Sequence, residues 1–228
     1  MFEKFLNREI FDKNLLKIIV TAGRENNENY GSVKNEIEQI KNYFKNLKLE
    51  EKDLLNSTML DIGSGTIRFD KYVQAKYKTE VYSLDLDRES LGNEHLHEIM
   101  CRVGSEKIDL PDNMFEIIIS HGALPENLVE INKENDTIDE MVSKEKLDLF
   151  FDEIYRTLKP NGKIKISIAS AKYIDNLIYK EKEFNCKKEH IFYKYKDIFI
   201  REYLKNKYKD NFKIININKN GDLIVIEK

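Results

Sequence analysis

Apolar residues in this 228-residue chain follow two different spacings, one typical of strands and one typical of helices. Short, almost continuously apolar runs predict seven strands, over residues 58–62, 80–84, 98–103, 115–120, 163–169, 212–218 and 222–228. The last two runs are joined through Asn220 and Gly221, which predicts an antiparallel hairpin. Because the run at 115–120 is apolar at nearly every position, both faces of the sheet are expected to be covered.

Helical spacing separates these runs. A helix is predicted over residues 30–48, with Ser32 as its N-cap. Thr137 and Glu140 form a capping-box pair, which predicts the start of a helix that the Pro–Asn–Gly turn at 160–162 ends. Two further helices are predicted, one after residue 62 and one over residues 194–208.

The alternation of strands and helices predicts an α/β fold with a parallel sheet and right-handed crossovers. The C-terminal hairpin would add one antiparallel strand. With 228 residues, of which 41% are hydrophobic, the chain suits a single domain with a sizeable core. No repeat or linker divides it.

Charge and cysteine content narrow the class of protein. The formal net charge of -3 argues against bulk electrostatic binding to nucleic acid, although a local basic face is compatible with it. Cys101 and Cys186 lie far apart in no metal or redox motif, as expected of reduced thiols in the cytosol. The first twenty residues are too charged for a signal peptide, and no apolar run approaches a membrane span. A cytoplasmic protein that binds neither a membrane nor a metal is expected.

The stretch LDIGSGTIRFD, residues 60–70, has the layout of a nucleotide-binding loop: a strand end, a glycine turn and a helix start. Glycines let the chain turn sharply and let a ligand approach the backbone, while the helix presents free N–H groups. Two glycines alone also fit an ordinary tight turn. Asp85 ends the next strand, at a spacing where an acid accepts hydrogen bonds from ribose hydroxyls. Together the two features favour a ribose-bearing ligand.

Three stretches, in this order, resemble the class I S-adenosylmethionine-dependent methyltransferases, and among them the small-molecule branch. MLDIGSGT is similar to the first cofactor motif of that family. VGSEKIDLPDNMFEIIISHGAL is similar to the segment that leads through an LPF-like turn and F-D into the fourth strand, with Phe115–Glu116 in place of F-D. FFDEIYRTLKPNGKIKISI is similar to the E-x-x-R-x-L-K-P-G-G segment before the fifth strand, with Asn161 in place of the first glycine.

The resemblance covers roughly residues 30–228 and implies a fold. That fold is a Rossmann-like three-layer α/β sandwich with a seven-stranded, mostly parallel sheet and an antiparallel C-terminal strand. It would form one methyltransferase domain over residues 1–228, with a helical cap at 1–50 and a Rossmann-like core at 51–228.

The resemblance also implies a binding site for S-adenosylmethionine, with S-adenosylhomocysteine as the product. Asp61 would lie near the amino group of the methionine portion, and Gly63 and Gly65 would line the cofactor. Asp85 would hold the ribose hydroxyls. Leu86 would lie against the adenine.

Two more positions follow from the resemblance, together with one departure from it. The backbone of Ser105 would face the adenine edge, and Ser120 would end the fourth strand beneath the sulfonium. The family commonly has an aspartate where this chain has Gly104. Adenine recognition would then use backbone groups, or Glu106 or Asp109.

The loop also lacks a third glycine. A dinucleotide fingerprint needs it at Arg68, where glycine lets a pyrophosphate approach the helix, and a methyltransferase loop has it at Ile67. S-adenosylmethionine has no pyrophosphate, so its binding site does not require the ligand to approach the N-terminus of the helix as closely. Arg68 therefore counts against a nicotinamide cofactor more than Ile67 counts against a methyl donor.

His121, just after the fourth predicted strand, is the candidate catalytic residue. Its ordinary pKa near 6.5 would allow it to act as a base at neutral pH if the acceptor must lose a proton. The alternative is a histidine that shapes the loop through hydrogen bonds. The acidic segment 130–140 lies on the same side and would favour a cationic substrate, form a lid or simply be solvated.

The sequence thus predicts S-adenosylmethionine-dependent methyl transfer to a small-molecule acceptor. Two alternatives remain at this stage: an RNA or protein methyltransferase, and a non-catalytic cofactor-binding protein with the same fold.

Overall fold

The computed structural model describes residues 12–21, 33–65, 67–85, 96–101, 104–123, 129–134, 137–142, 144–167, 213–217 and 223–228. Its helices are α1 (Lys13–Thr21), α2 (Val33–Asn46), α3 (Glu51–Leu54), α4 (Arg68–Tyr77) and α5 (Lys144–Thr157). Its strands are β1 (Thr58–Ile62), β2 (Glu80–Asp85), β3 (His97–Met100), β4 (Phe115–His121), β5 (Val129–Glu134), β6 (Thr137–Val142), β7 (Leu158–Ser167), β8 (Lys213–Ile217) and β9 (Leu223–Glu227).

Seven of these strands form one sheet in the order β3-β2-β1-β4-β7-β9-β8. Strands β3, β2, β1, β4 and β7 run parallel, and β9 pairs antiparallel with both β7 and β8. The predicted seven-stranded, mostly parallel sheet with an antiparallel C-terminal strand is therefore confirmed. The strand order reverses at β1, whose neighbours are β2 and β4. In open α/β sheets, this reversal opens a crevice at the carboxyl ends of the strands, where ligands bind.

Two apolar cores, one on each face of the sheet, make the fold three-layered. Helix α5 packs its Phe150, Phe151 and Ile154 onto one face, together with Leu60 of β1 and Ile118 of β4. The other face is covered by α1, α2 and α4, and that core includes Met59, Val81, Ile117 and Ile119. Side chains alternate between the faces along each strand, as expected of a sheet buried on both sides.

The E-x-x-R segment fixes the turn before β4. Arg156 donates hydrogen bonds to the carbonyl oxygens of Leu110 (2.6 Å) and Ile108 (2.9 Å) and pairs with Asp112 at 2.8 Å. Glu153, which is buried, accepts the backbone N–H of Ile108 at 2.9 Å and pairs with Arg156 at 2.7 Å. The two charged side chains of α5 therefore hold the LPF-like turn in place against the helix.

Helix α5 ends at Thr157, before the Pro–Asn–Gly segment at 160–162, which was predicted as a turn but lies inside β7, where the register with β4 shifts. Asn161 has a φ of 65°, a left-handed conformation that asparagine tolerates better than most residues. A side chain at Gly162 would place its Cβ 2.8 Å from both Leu158 Cδ1 and Lys159 O. Asparagine can therefore replace the first glycine of the family segment, whereas the second must remain glycine.

The predicted helix start at Thr137–Glu140 is wrong. Thr137 opens β6, which pairs antiparallel with β5 from Glu134↔Thr137 to Val129↔Val142, and α5 begins only at Lys144. Alternating aliphatic and polar residues on both sides of a two-residue connection form a hairpin, and this cross-strand pairing outweighs a capping pair. Most of the acidic segment 130–140 thus lies in a separate two-stranded ribbon.

Other predictions differ at their edges. The third strand spans His97–Met100 rather than 98–103, and α1 was not predicted, although its Leu16, Ile19 and Val20 are buried.

Cys101 is buried and free, and burial, with Glu106 and Glu153 nearby, raises its pKa to about 11, so the thiol stays protonated. Cys186 and the predicted helix 194–208 lie outside the described residues.

Candidate functional site

Polar side chains gather where β1, β2 and β4 end, on one face of the sheet. Asp61 is completely buried near the end of β1, Asp85 ends β2 and His121 ends β4. By alternation along the strands, all three lie on the face covered by α2 and α4. They therefore meet at the crevice where the strand order reverses.

The glycine loop is tied to the end of β2. The carbonyl oxygen of Leu84 accepts the N–H groups of Gly63 (2.7 Å) and Ser64 (3.3 Å). One carboxylate oxygen of Asp85 accepts the N–H of Gly65 at 2.8 Å. Asp85 thus shapes the loop directly, and the two features that the sequence linked only by spacing are in contact.

The two loop glycines serve different needs. Gly63 has a φ of 75°, and a Cβ there would lie 2.1 Å from the Cβ of Ala123, so glycine allows the segment after β4 to approach the loop. Gly65 also has a left-handed φ, of 54°, but a Cβ there would meet no atom of the described residues within 4 Å. Among those residues the space beside Gly65 is open, as a ligand-binding loop requires.

Ile67, at the missing third glycine, keeps a glycine-like backbone. Its φ of 52° and ψ of 10° are left-handed, a conformation that is strained for a β-branched residue. The side chain is 3% exposed and packs in the core beneath α4. Burial of the side chain offsets the strain, so the loop retains the expected path without the expected residue.

Arg68 has a structural function that the sequence did not reveal. Its guanidinium pairs with Glu36 of α2 and donates a hydrogen bond to the carbonyl oxygen of Val20 in α1 at 2.7 Å. Both charged side chains are buried. One side chain therefore ties the two N-terminal helices to the first turn of α4, directly after the glycine loop.

Tyr43 is the site residue that sequence reasoning missed, since it fitted a core position of α2. Its ring stacks on Phe69 of α4 (centroids 4.2 Å apart) and on His121 of β4 (4.3 Å). Burial raises its pKa well above the ordinary value, and Asp61, Asp70 and Asp85 raise it further. Its hydroxyl is therefore protonated at neutral pH and lies within electrostatic range of three carboxylates. Tyr43 lies one turn before the end of α2, the helix that precedes α3 and β1. Nothing in the sequence distinguishes it there from an ordinary core residue.

Contacts with neighbouring residues fix the position of His121. Its Nε2 accepts a hydrogen bond from the side-chain amide of Asn46 at 2.9 Å, and its ring stacks on Tyr43. Burial lowers its pKa to about 4. The ring is therefore neutral at physiological pH, and its accepting nitrogen faces α2.

The remaining predicted site residues are spread around the crevice. Ser120 is buried on the α5 face, and its hydroxyl donates to the carbonyl oxygen of Ile62 at 3.0 Å. Ser105 is exposed in the turn after β3, next to the buried Gly104 with a φ of 76°. Leu86 lies outside the described residues.

The residues at the crevice fit S-adenosylmethionine by charge and shape. The cofactor carries a sulfonium and an ammonium group, and carboxylates in a partly desolvated site stabilise such cations. Asp61 and Asp85 supply negative charge on two adjacent strands, and the open space at Gly65 leaves room beside the loop.

In the described parts of the chain, no three His, Cys, Asp or Glu side chains are arranged to hold a metal ion. In the same parts, no helix is long and apolar enough to cross a membrane.

Comparisons with known proteins agree with this geometry. Residues 60–166 match the family model described as a methyltransferase domain. This segment includes the glycine loop, Asp85 and His121. No curated protein matches the chain.

Several solved structures are similar to the chain at low identity. A protein from Methanococcus maripaludis described as an S-adenosyl-L-methionine-dependent methyltransferase is 20% identical, with 83% of each chain covered and a TM-score of 0.49. A SAM-dependent methyltransferase from Aquifex aeolicus is 17% identical, with 83% of this chain and 95% of that chain covered and a TM-score of 0.47. A protein from Galdieria sulphuraria described as a sarcosine dimethylglycine methyltransferase is 14% identical, with 66% of this chain covered and a TM-score of 0.43. The chain spans 57% of the length of that protein.

Proposed function

We propose that this methyltransferase domain transfers the methyl group of S-adenosylmethionine to a small-molecule acceptor. The observation that carries the proposal is the position of Asp61 and Asp85. These carboxylates lie on adjacent strands on either side of the glycine loop, at the crevice where the strand order reverses. The acid on β2 that holds the loop at Gly65 lies at the position where a carboxylate accepts hydrogen bonds from ribose hydroxyls.

The cofactor-binding residues follow from this arrangement. Asp61 binds the ammonium of the methionine portion, and Gly63 and Gly65 shape the loop that the cofactor contacts. Asp85 accepts hydrogen bonds from the ribose, and Leu86 follows it toward the adenine.

Two serines complete the proposed site from other elements. The backbone of Ser105 faces the adenine edge, and its exposed turn leaves those groups accessible. Ser120 supports the end of β1 through its hydrogen bond to Ile62 and so forms the floor of the crevice.

The chemistry needs little from the protein beyond position. Bound S-adenosylmethionine would supply a methyl group on a positively charged sulfur. The chain holds the acceptor in line with that methyl and excludes water, which supplies much of the acceleration. With a pKa of about 4, His121 is a weak base, which favours an acceptor that is already nucleophilic, such as a neutral amine.

Charge at the crevice favours a small acceptor over a nucleic acid. Asp61, Asp70 and Asp85 lie close enough to Tyr43 to raise its pKa, so the crevice has negative potential. Such a potential repels a phosphate backbone, and the formal net charge of the chain is -3. It attracts a cationic small molecule and does not repel a neutral one.

The test is binding of S-adenosylhomocysteine, measured by calorimetry and by the shift in melting temperature. The product is expected to raise the melting temperature because it binds the folded state, whereas NAD does not. The Asp85→Asn variant keeps an oxygen for the Gly65 N–H but loses the charge, so affinity should fall roughly 10- to 100-fold. The matched control is Asp152→Asn, an exposed acid on α5 outside the loop, with unchanged affinity expected.

No shift at millimolar S-adenosylhomocysteine would refute the proposal, and equal affinity in Asp85→Asn would show that the ribose is placed wrongly. A screen of small amines, thiols and hydroxyl compounds with radiolabelled cofactor then identifies the acceptor. Labelling of RNA or protein alone would favour the first alternative. Binding without any labelling would indicate a non-catalytic protein.

A further inference from the structure

Tyr43 occupies a specific position at the crevice. Its ring is held against Phe69, the second residue of α4, and against His121, the last residue of β4. Helix α4 follows β1 through the glycine loop, and β4 lies beside β1 in the sheet. The ring therefore bridges the two elements that flank the end of β1, on the side of the crevice away from β2.

The carboxylates around Tyr43 show the same asymmetry. Asp61 of β1 has the largest effect of the three on its hydroxyl, and Asp85 of β2 has the smallest. Asp85 is the proposed ribose-binding residue, and Asp61 the proposed partner of the methionine ammonium. Because the ring of Tyr43 lies against Phe69 of α4 and His121 of β4, and β4 is on the far side of β1 from β2, Tyr43 stands toward the methionine end of the proposed site.

We propose that the Tyr43 hydroxyl donates a hydrogen bond to the α-carboxylate of the cofactor's methionine portion. The inference rests on the proposed function and names one further binding residue of the same site. An anionic carboxylate entering a crevice lined by acids needs a donor, and a protonated phenol supplies one. The sulfonium cannot be the partner, because a cation accepts no hydrogen bond.

The neighbours of Tyr43 explain how a side chain from α2 reaches this point accurately. His121 stacks on the ring and is itself held by the amide of Asn46, one turn further along the same helix. Phe69 contacts the ring from α4 and also packs edge-on against Phe44. His121, Asn46 and Phe69 are accordingly positioning residues for the Tyr43 hydroxyl.

The experiment compares two ligands that differ only beyond the ribose. S-adenosylhomocysteine carries the amino-acid portion, whereas 5′-methylthioadenosine lacks it. The Tyr43→Phe variant keeps the stacked ring and removes only the hydroxyl. We expect its Kd for S-adenosylhomocysteine to rise about tenfold, with the Kd for 5′-methylthioadenosine within about twofold of the unmodified protein.

Tyr82→Phe is the matched control, because its hydroxyl donates to Glu80 at the opposite end of β2, and neither affinity should change. An equal loss for both ligands in Tyr43→Phe, or no loss for either, would overturn the inference while the proposed function stands. If the unmodified protein binds neither ligand, the proposed function fails and this inference fails with it. Urea unfolding of each variant confirms that the fold is retained.

Discussion

Replacing Ile67 by alanine and by glycine tests the unusual backbone of the cofactor loop. Ile67 stands where the methyltransferase loop has its third glycine, and its φ of 52° is left-handed. Its side chain is buried against α4, so each replacement loses packing. The two replacements differ mainly in whether the backbone strain remains.

The magnitudes follow from burial and strain. Ile67→Ala removes most of a buried side chain and should lower the free energy of unfolding by about 2–4 kcal/mol. Alanine keeps the strain of a left-handed L-residue, about 1–2 kcal/mol, which glycine removes. Glycine adds about 0.5–1 kcal/mol of chain entropy to the unfolded state. The Ile67→Gly variant should therefore be as stable as Ile67→Ala, or more stable by up to about 1.5 kcal/mol.

The assay is urea unfolding of both variants and of Ala75→Gly, an exposed alanine within α4. At Ala75 the same change from alanine to glycine should cost about 1 kcal/mol, because the backbone there is helical. The slope of the free energy of unfolding against urea concentration must be the same in all variants before their unfolding midpoints can be compared. If the Ile67→Gly variant is less stable than the Ile67→Ala variant by about 1 kcal/mol, as expected at an ordinary helix position, the left-handed conformation of residue 67 is refuted.

Three further predictions concern stability. Because burial depresses the pKa of His121 from 6.5 to about 4, the unfolded chain takes up this proton first, and stability is lost as pH falls below 6.5. Between pH 7 and 5 the loss is about 2 kcal/mol, measured as the difference between the unmodified protein and His121→Phe. Arg68→Met leaves Glu36 buried without its cation and should cost about 3–5 kcal/mol in urea unfolding, much of it recovered when Glu36→Leu is added. Gly162→Ala should cost about 1–3 kcal/mol, because its Cβ overlaps Leu158 and Lys159 O.

Each of these has a control and an opposing outcome. A His121→Phe variant with the same pH dependence as the unmodified protein would show that the histidine titrates normally. Additive losses in the double variant at Arg68 and Glu36 would show that the two side chains do not interact. Gly65→Ala is the control for Gly162, since its Cβ meets no atom and only the left-handed φ is penalised. A Gly162→Ala variant as stable as the unmodified protein would contradict the overlap at Gly162.

The sheet and its order of elements could be predicted from the sequence. The spacing of apolar residues and the positions of turn-forming residues are local properties of the sequence. Strands such as 115–120 are apolar at nearly every position because both faces of the sheet are covered. The hairpin at β5 and β6 was mistaken for a helix start because the pairing Glu134↔Thr137 depends on a second strand. A capping pair is visible in one segment, whereas a cross-strand pair is not.

The site residues also fall into those that the sequence could identify and those that it could not. Gly65 and Asp85 could be named from spacing, because they lie in the loop between strand and helix and at the end of a strand, and Asp61 from the resemblance to the methyltransferase family. Tyr43, Asn46 and the pairing of Arg68 with Glu36 could not be named, because they depend on how α2 packs across the sheet. Nor could the backbone of Ile67 be foreseen, since a left-handed isoleucine is stable only when its side chain is buried by distant residues.

The sequence by itself thus determined the sheet, the loop and the two acids that flank it. Only the tertiary structure decided that His121 is neutral and turned toward α2, and that a tyrosine from the preceding helix stands at the crevice instead. The physical reason is that local patterns set which residues end each strand. Burial and long-range contacts set the protonation and orientation of those residues.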